Sequence, residues 1–383
     1  MMIRILHLGK SYPATGGVER VALDILDGIA GTDMQCDMLC ANGENGKPAT
    51  TYERSANTKI ICLKKIGTKF ATPIVPSMIP TLRKICGGYD IIHIHHPNPM
   101  TALALWLSGY KGKVIVHWHS DIQKQRHLLK FYMPLQNWML GRADAIIGTT
   151  PTYIHGSSHL RNYRSKCVSI PIGINPIQPD KKAVDTLRQR YEGKKIIFAL
   201  GRLVHYKGFK YLIDAAKELP DDYVVLIGGE GILRESLQKR IDYNGLNDKV
   251  KLVGYIPDDD LPAYYGACDI YCLSSIMKTE AFAIVQLEAM SCGKPIVATN
   301  IRHSGVPWVN ADGVSGLNVN IEDGNALAQA IIRIMEDPEL YRKFSEGAKA
   351  RFNSLFRKET MNKKVIALYR QLAKEKAEKP STQ

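Results

Sequence analysis

Arg202 and Lys207 stand just beyond the apolar run KKIIFALG (194–201). A fork-shaped guanidinium beside a point-charge ammonium suits a diphosphate. Further along, Glu280 and Glu288 are eight residues apart in EAFAIVQLE, near the start of a helical pattern. Carboxylates so placed accept hydrogen bonds from neighbouring hydroxyls, although each also reads as a surface or capping residue. Gly16-Gly17 precedes another helical pattern, and IGGEG (227–231) follows an apolar run. Glycine lets backbone N–H groups approach an anion at a helix start, or simply makes a tight turn. His119, followed by Ser120 and Asp121, ends a further apolar run. It reads either as a hydrogen-bond donor to a substrate oxygen or as a structural histidine. His93, His95, His96, His117 and His119 invite a metal. Alternate strand residues share a face, so His93/His95 and His117/His119 align. No carboxylate or cysteine completes a ligand set, and the reading is no metal.

These residues need a scaffold, and the chain alternates strand and helix patterns. IRILHL (3–8), QCDMLCA (35–41), DIIHIHH (90–96), KVIVHWH (113–119), ADAIIGTT (143–150) and KCVSIPIG (166–173) read as strands, with helices over 18–30 and at MTALALWLSG. The composition changes from about 176, and NPIQPDKKAV reads as a linker. Alternation then restarts with strands at 194–201, 222–231, 249–256, 268–275 and 294–300 and helices over 208–219, 232–244 and 284–292. Strands apolar on both faces belong to covered parallel sheets. Ligands of such sheets bind outside the carboxyl ends of the strands, where the glycines and His119 fall. FRKETMNKKVIALYRQLAKEK is a basic amphipathic helix with Val365, Leu368, Tyr369 and Leu372 at helical spacing. The tail AEKPSTQ after it reads as frayed.

The 383 residues are enough for two domains, expected at 1–175 and 176–358. Hydrophobic residues make 45% and charged ones 23%, a globular composition. No run of 18 apolar residues occurs, and the opening MMIRILHLGKS reads as a strand rather than a leader. Eight cysteines in or beside apolar runs, without a CxxC pair, read as free thiols in the cytoplasm. G-x-G-x-x-G after the first strand and G-x-x-x-x-G-K-[ST] are both absent, which disfavours a plain Rossmann dehydrogenase and a P-loop ATPase. The formal net charge of +14 fits nucleic acid, an anionic membrane or a phosphorylated substrate. Aromatic RNP pairs, zinc-finger spacing and a KH-type GXXG are missing, so no nucleic-acid partner is expected.

Taken in order, GGVER (16–20), HWHSD (117–121), IPIGIN (170–175), GRLVHYKG (201–208), IGGEG, GYIP (254–257) and EAFAIVQLEAMSCGKPIVAT (280–299) resemble the retaining glycosyltransferases of family 4 (GT4). The resemblance covers nearly the whole chain. It implies an α/β fold of GT-B type, with two Rossmann-like domains whose parallel sheets face across a cleft. The N-terminal domain would bind acceptor, completed by the C-terminal helix 359–377, and the C-terminal domain would bind the nucleotide-sugar donor. It implies transfer from a nucleotide-diphosphate sugar without metal or prosthetic group. Arg202 and Lys207 match the cations on the diphosphate, and Gly16 and Gly17 match the loop facing it. Glu288 matches the ribose-binding carboxylate and Glu280 the one near the donor sugar, with the amides of Ala281, Phe282 and Ala283 nearby. His119 matches the active-site histidine.

The chain departs from the family pattern in three places. Ala283 stands where glycine is common, no basic residue follows IGGEG until Arg234, and Asn175 replaces a frequent aspartate. The stretch RHSGVPWVNADGVSG (302–316) is similar to transferases of bacterial lipopolysaccharide or O-antigen type. GDP-mannose ranks ahead of a UDP-hexose as donor, and the acceptor is expected to be a lipid-linked glycan or oligosaccharide. The basic apolar segments 63–84 and 123–140 either rest on anionic lipid at the cytoplasmic face of the inner membrane or pack internally. The rival classes are a nucleotide-sugar epimerase of GT-B layout and a non-enzymatic glycan- or nucleic-acid-binding protein.

Overall fold

The computed structural model describes residues 2–14, 16–69, 72–122 and 126–377, with the backbone alone at 126–129 and 376–377. Parts of the two basic apolar segments, 70–71 and 123–125, lie outside the described residues, as does the end of the tail from 378. The chain divides into two compact units. One runs to Ile172 and takes in the chain again from Lys358; the other is Gly173–Arg357.

The first unit carries β1 (Ile3–Tyr12), β2 (Met34–Asn45), β3 (Thr50–Ser55), β4 (Thr58–Lys65), a small hairpin of β5 (Gly67–Lys69) and β6 (Thr72–Ile74), then β7 (Ile91–His96), β8 (Lys113–Trp118), β9 (Ala145–Gly148) and β10 (Cys167–Ser169). Its main sheet has the order β10-β9-β8-β7-β1-β2-β4-β3. Every pairing in it is parallel except β3 with β4. The expected interior strands are present because Ile5, Leu6, Ile91, Ile92, Val114 and Ile115 are apolar and buried on both faces. The β3–β4 arm is absent from the sequence reading. Its outer strand TTYERS has no apolar run, as befits an edge that must resist pairing with another chain.

The C-terminal helix Lys358–Ala377 packs across the helix Gly17–Ile29 and over β1 and β8. Val365, Leu368, Tyr369 and Leu372 are all buried, as their spacing predicts. A Cβ at Gly28 would overlap the Asn362 side chain, so glycine sets how closely the two helices approach. Asn362 Nδ2 donates to the Asp24 carbonyl at 3.0 Å and Lys358 pairs with Asp24 at 3.3 Å, fixing the crossing.

The second unit holds β11 (Lys195–Leu200), β12 (Tyr223–Gly228), β13 (Val250–Gly254), β14 (Ile270–Leu273), β15 (Ile296–Thr299) and β16 (Gly316–Val319). They form one sheet, parallel throughout, in the order β13-β12-β11-β14-β15-β16. Part of the supposed linker is a helix, Lys181–Arg190. Asp180 caps it by accepting from the Ala183 N–H at 2.9 Å, a start signal hidden in a proline-rich context. Both units are therefore Rossmann-like α/β layers, the fold class expected. No helix among the described residues is long and apolar enough to cross a membrane.

Candidate active site

In the second unit the chain leaves β11 to one side for β12 and returns on the other side for β14. The point of reversal, outside the carboxyl ends of β11 and β14, is where open α/β sheets take ligands. The loops that follow these two strands bring Lys207 and Glu280 together. Lys207 Nζ donates to Glu280 Oε2 at 2.5 Å, and Ser275 Oγ donates to the same oxygen at 2.9 Å. Both charged side chains are about nine-tenths buried, being 10% and 11% exposed. Arg202 is exposed, with its guanidinium 3.5 Å from the Tyr206 hydroxyl; no carboxylate pairs with it among the described residues. The Tyr206 ring also lies under Lys207 Nζ, 5.5 Å from its centroid, so one aromatic side chain spaces the two cations.

The backbone carbonyls of the segment after Glu280 are taken by neighbouring donors. Ser304 Oγ donates to the Glu280 carbonyl at 2.5 Å, the Gly305 N–H to the Ala281 carbonyl at 2.8 Å, and Gln286 Nε2 to the Phe282 carbonyl at 3.2 Å. The three carbonyls are thus occupied. Among the described residues no acceptor meets the N–H groups of Ala281, Phe282 or Ala283. The helix Ile284–Ser291 begins here, and its first turn adds positive potential to these amides.

Ala283, the departure from the usual glycine, sits at φ 62° and ψ 77°. This left-handed conformation costs an L-residue about 1–2 kcal/mol, and glycine avoids it at a smaller entropic penalty. Ala283→Gly is therefore expected to be stabilising by about 1 kcal/mol or less, read as a higher denaturation midpoint with unchanged slope.

Glu288, half-buried on the same helix, accepts from the Tyr265 hydroxyl at 2.5 Å. Burial and the Glu288 carboxylate hold the Tyr265 phenol well above its ordinary range, so it stays a donor. Tyr265, Ser275, Tyr206 and Ser304 are missing from the sequence reading. Ser275 and Ser304 follow the carboxyl ends of β14 and β15, the rule that selected the others; Tyr265 has no local signal.

The glycines of IGGEG have a packing role. A Cβ at Gly229, at φ 119°, would overlap the Gly201 carbonyl, and one at Gly231 would stand 2.5 Å from the Leu203 carbonyl. Arg234, the first basic residue after them, pairs with Glu230 at 2.9 Å.

In the first unit the reversal lies between β1 and β7. Gly16 is the N-cap of the helix Gly17–Ile29 at φ −158°, an extended backbone open to any residue. Its lack of a side chain matters for space: a Cβ there would stand 3.0 Å from Glu19 Oε2. Glu19 in turn pairs with Lys10 at 3.8 Å. His119 is held at the end of β8 by its N–H, which donates to the His96 carbonyl at 3.1 Å. Asp121 fastens this loop, accepting from Trp118 Nε1 at 2.9 Å and Ser157 Oγ at 2.7 Å.

The histidines divide between the two faces of the sheet. His96 stacks on Trp118, with ring centroids 3.8 Å apart. On the opposite face lie His93, His95, His117 and His119, joined by His7 of β1, which the sequence reading overlooked. The triads His7–His93–His95 and His95–His117–His119 bring ring nitrogens within 4.8 Å of one another. Yet the rings of His93 and His95 are 9° from parallel and those of His95 and His119 are 16°. His95, shared by both triads, has both ring nitrogens engaged, with His7 at 2.9 Å and with His119 at 3.0 Å, and so has none to offer an ion. Neighbouring nitrogens bond to each other instead.

A cationic pair, a row of amides that meets no acceptor among the described residues and a carboxylate thus lie at the reversal point of the second sheet. The model of the glycosyl transferases group 1 matches residues 181–351, and that of glycosyltransferase family 4 matches residues 15–178. The chain belongs to this superfamily of GT-B glycosyltransferases.

Among individual relatives, it is 30% identical over 359 residues to D-rhamnosyltransferase WbpZ of Pseudomonas aeruginosa, covering 92% of each chain. It is 29% identical over 381 residues to O-antigen chain mannosyltransferase C of Escherichia coli, covering 98% of this chain and 100% of the relative. Sucrose-phosphate synthase from Thermosynechococcus elongatus shares the fold, with a TM-score of 0.78 at 22% identity over 97% of this chain and 100% of that one.

Proposed function

We propose that the protein is a retaining transferase that moves a hexose, from GDP-mannose ahead of a UDP-hexose, to a hydroxyl of a lipid-linked glycan or oligosaccharide without a metal. The observation that carries this reading is the buried Lys207–Glu280–Ser275 cluster beside the unpaired amides of 281–283. The leaving group is a nucleoside diphosphate whose charge grows as the glycosidic bond breaks. Preorganised donors at that position lower the barrier because they need no reorganisation during the reaction. Arg202 and Lys207 bind the diphosphate, and Gly16 and Gly17 leave room for it. Glu288, oriented by Tyr265, takes the ribose hydroxyls. Glu280 and the amides of Ala281, Phe282 and Ala283 hold the sugar side, and His119 bonds a sugar oxygen.

The unit Gly173–Arg357 is the donor domain in this reading, and the other takes the acceptor. The acceptor hydroxyl attacks on the face the leaving phosphate vacates, with that phosphate receiving its proton and no covalent sugar–enzyme intermediate. The similarity to O-antigen chain mannosyltransferase C supports mannose as the sugar moved.

The test is a donor panel with a lipid-linked acceptor, reading product and anomeric configuration by NMR. An inverted product, or an isomerised sugar without transfer, overturns the reading.

The membrane-facing surface belongs to the first unit. Trp106, 52% exposed, meets Trp138 edge-on at 6.5 Å, and Phe131 on the same helix as Trp138 is 86% exposed. Lys130 is exposed beside Phe131. Aromatic side chains next to lysine suit the headgroup layer of an anionic bilayer, at the cytoplasmic face where the acceptor lipid is supplied. Phe131→Ser is expected to reduce co-sedimentation with anionic vesicles several-fold while leaving transfer to a soluble acceptor unchanged.

A further inference from the structure

The buried histidines of the first unit form one continuous chain of hydrogen bonds that ends at His119. His93 Nδ1 lies 2.6 Å from the Tyr369 hydroxyl, and that hydroxyl lies 2.9 Å from His7 Nε2. His7 Nδ1 is 2.9 Å from His95 Nε2, and His95 Nδ1 is 3.0 Å from His119 Nε2. Five side chains, from β1, β7, the residue just after β8 and the C-terminal helix, are thus joined by four bonds.

We propose that Tyr369, acting through His7 and His95, fixes the tautomer of His119, with the proton on Nδ1 and Nε2 as acceptor.

Two directions satisfy the bonds and also use the phenol proton, because each neutral ring has one N–H and the phenol one O–H; were the phenol to accept from both rings, its buried O–H would meet no acceptor among the described residues. In one direction His93 Nδ1–H donates to Tyr369, Tyr369 to His7, His7 to His95 and His95 to His119 Nε2. His93 Nε2 then keeps a lone pair, and His119 keeps its proton on Nδ1. In the other direction every proton moves across its bond, and His93 Nε2 carries a buried N–H. That nitrogen is enclosed and meets no partner among the described residues. A buried N–H without an acceptor is rarer and costlier than an unmet acceptor, so the first direction wins.

The rings are neutral: burial lowers His7 and His119 to about 3 and puts His93, His95 and His117 well below their ordinary value. His119 Nδ1 is the open end. Among the described residues it meets no partner, and it is not fully enclosed. An N–H there donates to a substrate oxygen; the other tautomer would present a lone pair in its place. The use of this donor rests on the proposed role of His119, whereas the tautomer itself does not.

The test is nitrogen NMR of histidine-labelled protein, with His119→Gln identifying the resonances of His119. The wild type is expected to show a protonated Nδ1 and a pyridine-type Nε2. Tyr369→Phe removes the hydroxyl that sets the direction, and His119 is expected to become a mixture of both tautomers. Transfer is expected to fall about threefold to tenfold in kcat/KM, the worth of one neutral hydrogen bond. Should Tyr369→Phe fail to fold, His7→Leu breaks the next link and carries the same expectation. A wild-type His119 protonated on Nε2, or a tautomer unchanged in the folded variant, overturns the proposal. If the tautomer shifts while His119→Gln retains full turnover, the relay stands and the assignment of His119 to the donor sugar falls.

Discussion

Lys207→Ala is expected to lower turnover about a hundredfold or more, the usual loss when one preorganised donor to developing negative charge is removed. The ammonium is the buried cation of the switch point and is already aligned by Glu280. Its removal has a second consequence. Among the described residues Glu280 would keep only the Ser275 hydroxyl as a partner for its carboxylate, in a site nine-tenths closed to water. Breaking a buried pair from one side costs about 3–5 kcal/mol, enough to depress activity by unfolding alone. The double variant Lys207→Met with Glu280→Gln separates the two effects. Both replacements preserve length and leave no buried charge, so stability is expected within about 1 kcal/mol of wild type. Turnover is expected to remain down by two orders of magnitude, because the buried ammonium is gone and only the exposed Arg202 is left for the diphosphate. Urea denaturation and steady-state kinetics on the same preparations measure both quantities. Turnover within about threefold of wild type in the double variant would remove Lys207 from the diphosphate.

What the sequence made legible follows from which forces are local. Strand interiors such as IIFAL and YVVLIG announce themselves because burial on both faces demands a continuous apolar run. Arg202, Lys207, Glu280 and Glu288 stand out because chemistry-bearing side chains collect where strands end. Tyr265 and Tyr369 were hidden as partners, since each meets its carboxylate or imidazole only after helices pack onto the sheet. His7 was hidden for the same reason: one histidine in an apolar strand has no meaning until β7 lies beside β1. The glycines of IGGEG misled in the opposite sense, since a glycine reserved for backbone packing and one reserved for a ligand look alike in sequence. The +14 charge was the least specific signal. Many cations are consumed in pairs such as Arg188–Asp269 and Arg240–Asp214, while Arg202 at the site has no such partner among the described residues.

Gly208→Ala is expected to destabilise the second unit by about 3 kcal/mol and to abolish most turnover, although residue 208 carries no functional group. Gly208 sits at φ 66°, where an alanine costs about 1–2 kcal/mol whatever its surroundings. It is also pressed against β14: a Cβ would overlap the Ser274 carbonyl oxygen and stand 2.9 Å from Ile276. Backbone cannot yield as a flexible side chain does, so the loops after β11 and β14 must separate. Those loops carry Lys207 and Glu280, and the Lys207 carbonyl accepts from Ser274 Oγ at 3.0 Å across the same contact. A shift of a few tenths of an ångström there lengthens the ion pair it positions.

Gly31→Ala isolates the steric part. Gly31 has φ 77° with nothing within 4 Å of its would-be Cβ, so only the conformational cost applies, about 1–2 kcal/mol. The difference between the two variants in chemical denaturation is the cost of forcing the loops apart, and only Gly208→Ala is expected to lose turnover. Equal losses of stability in both, with transfer intact, would mean that the close approach of 208 to 274 does not hold the site together.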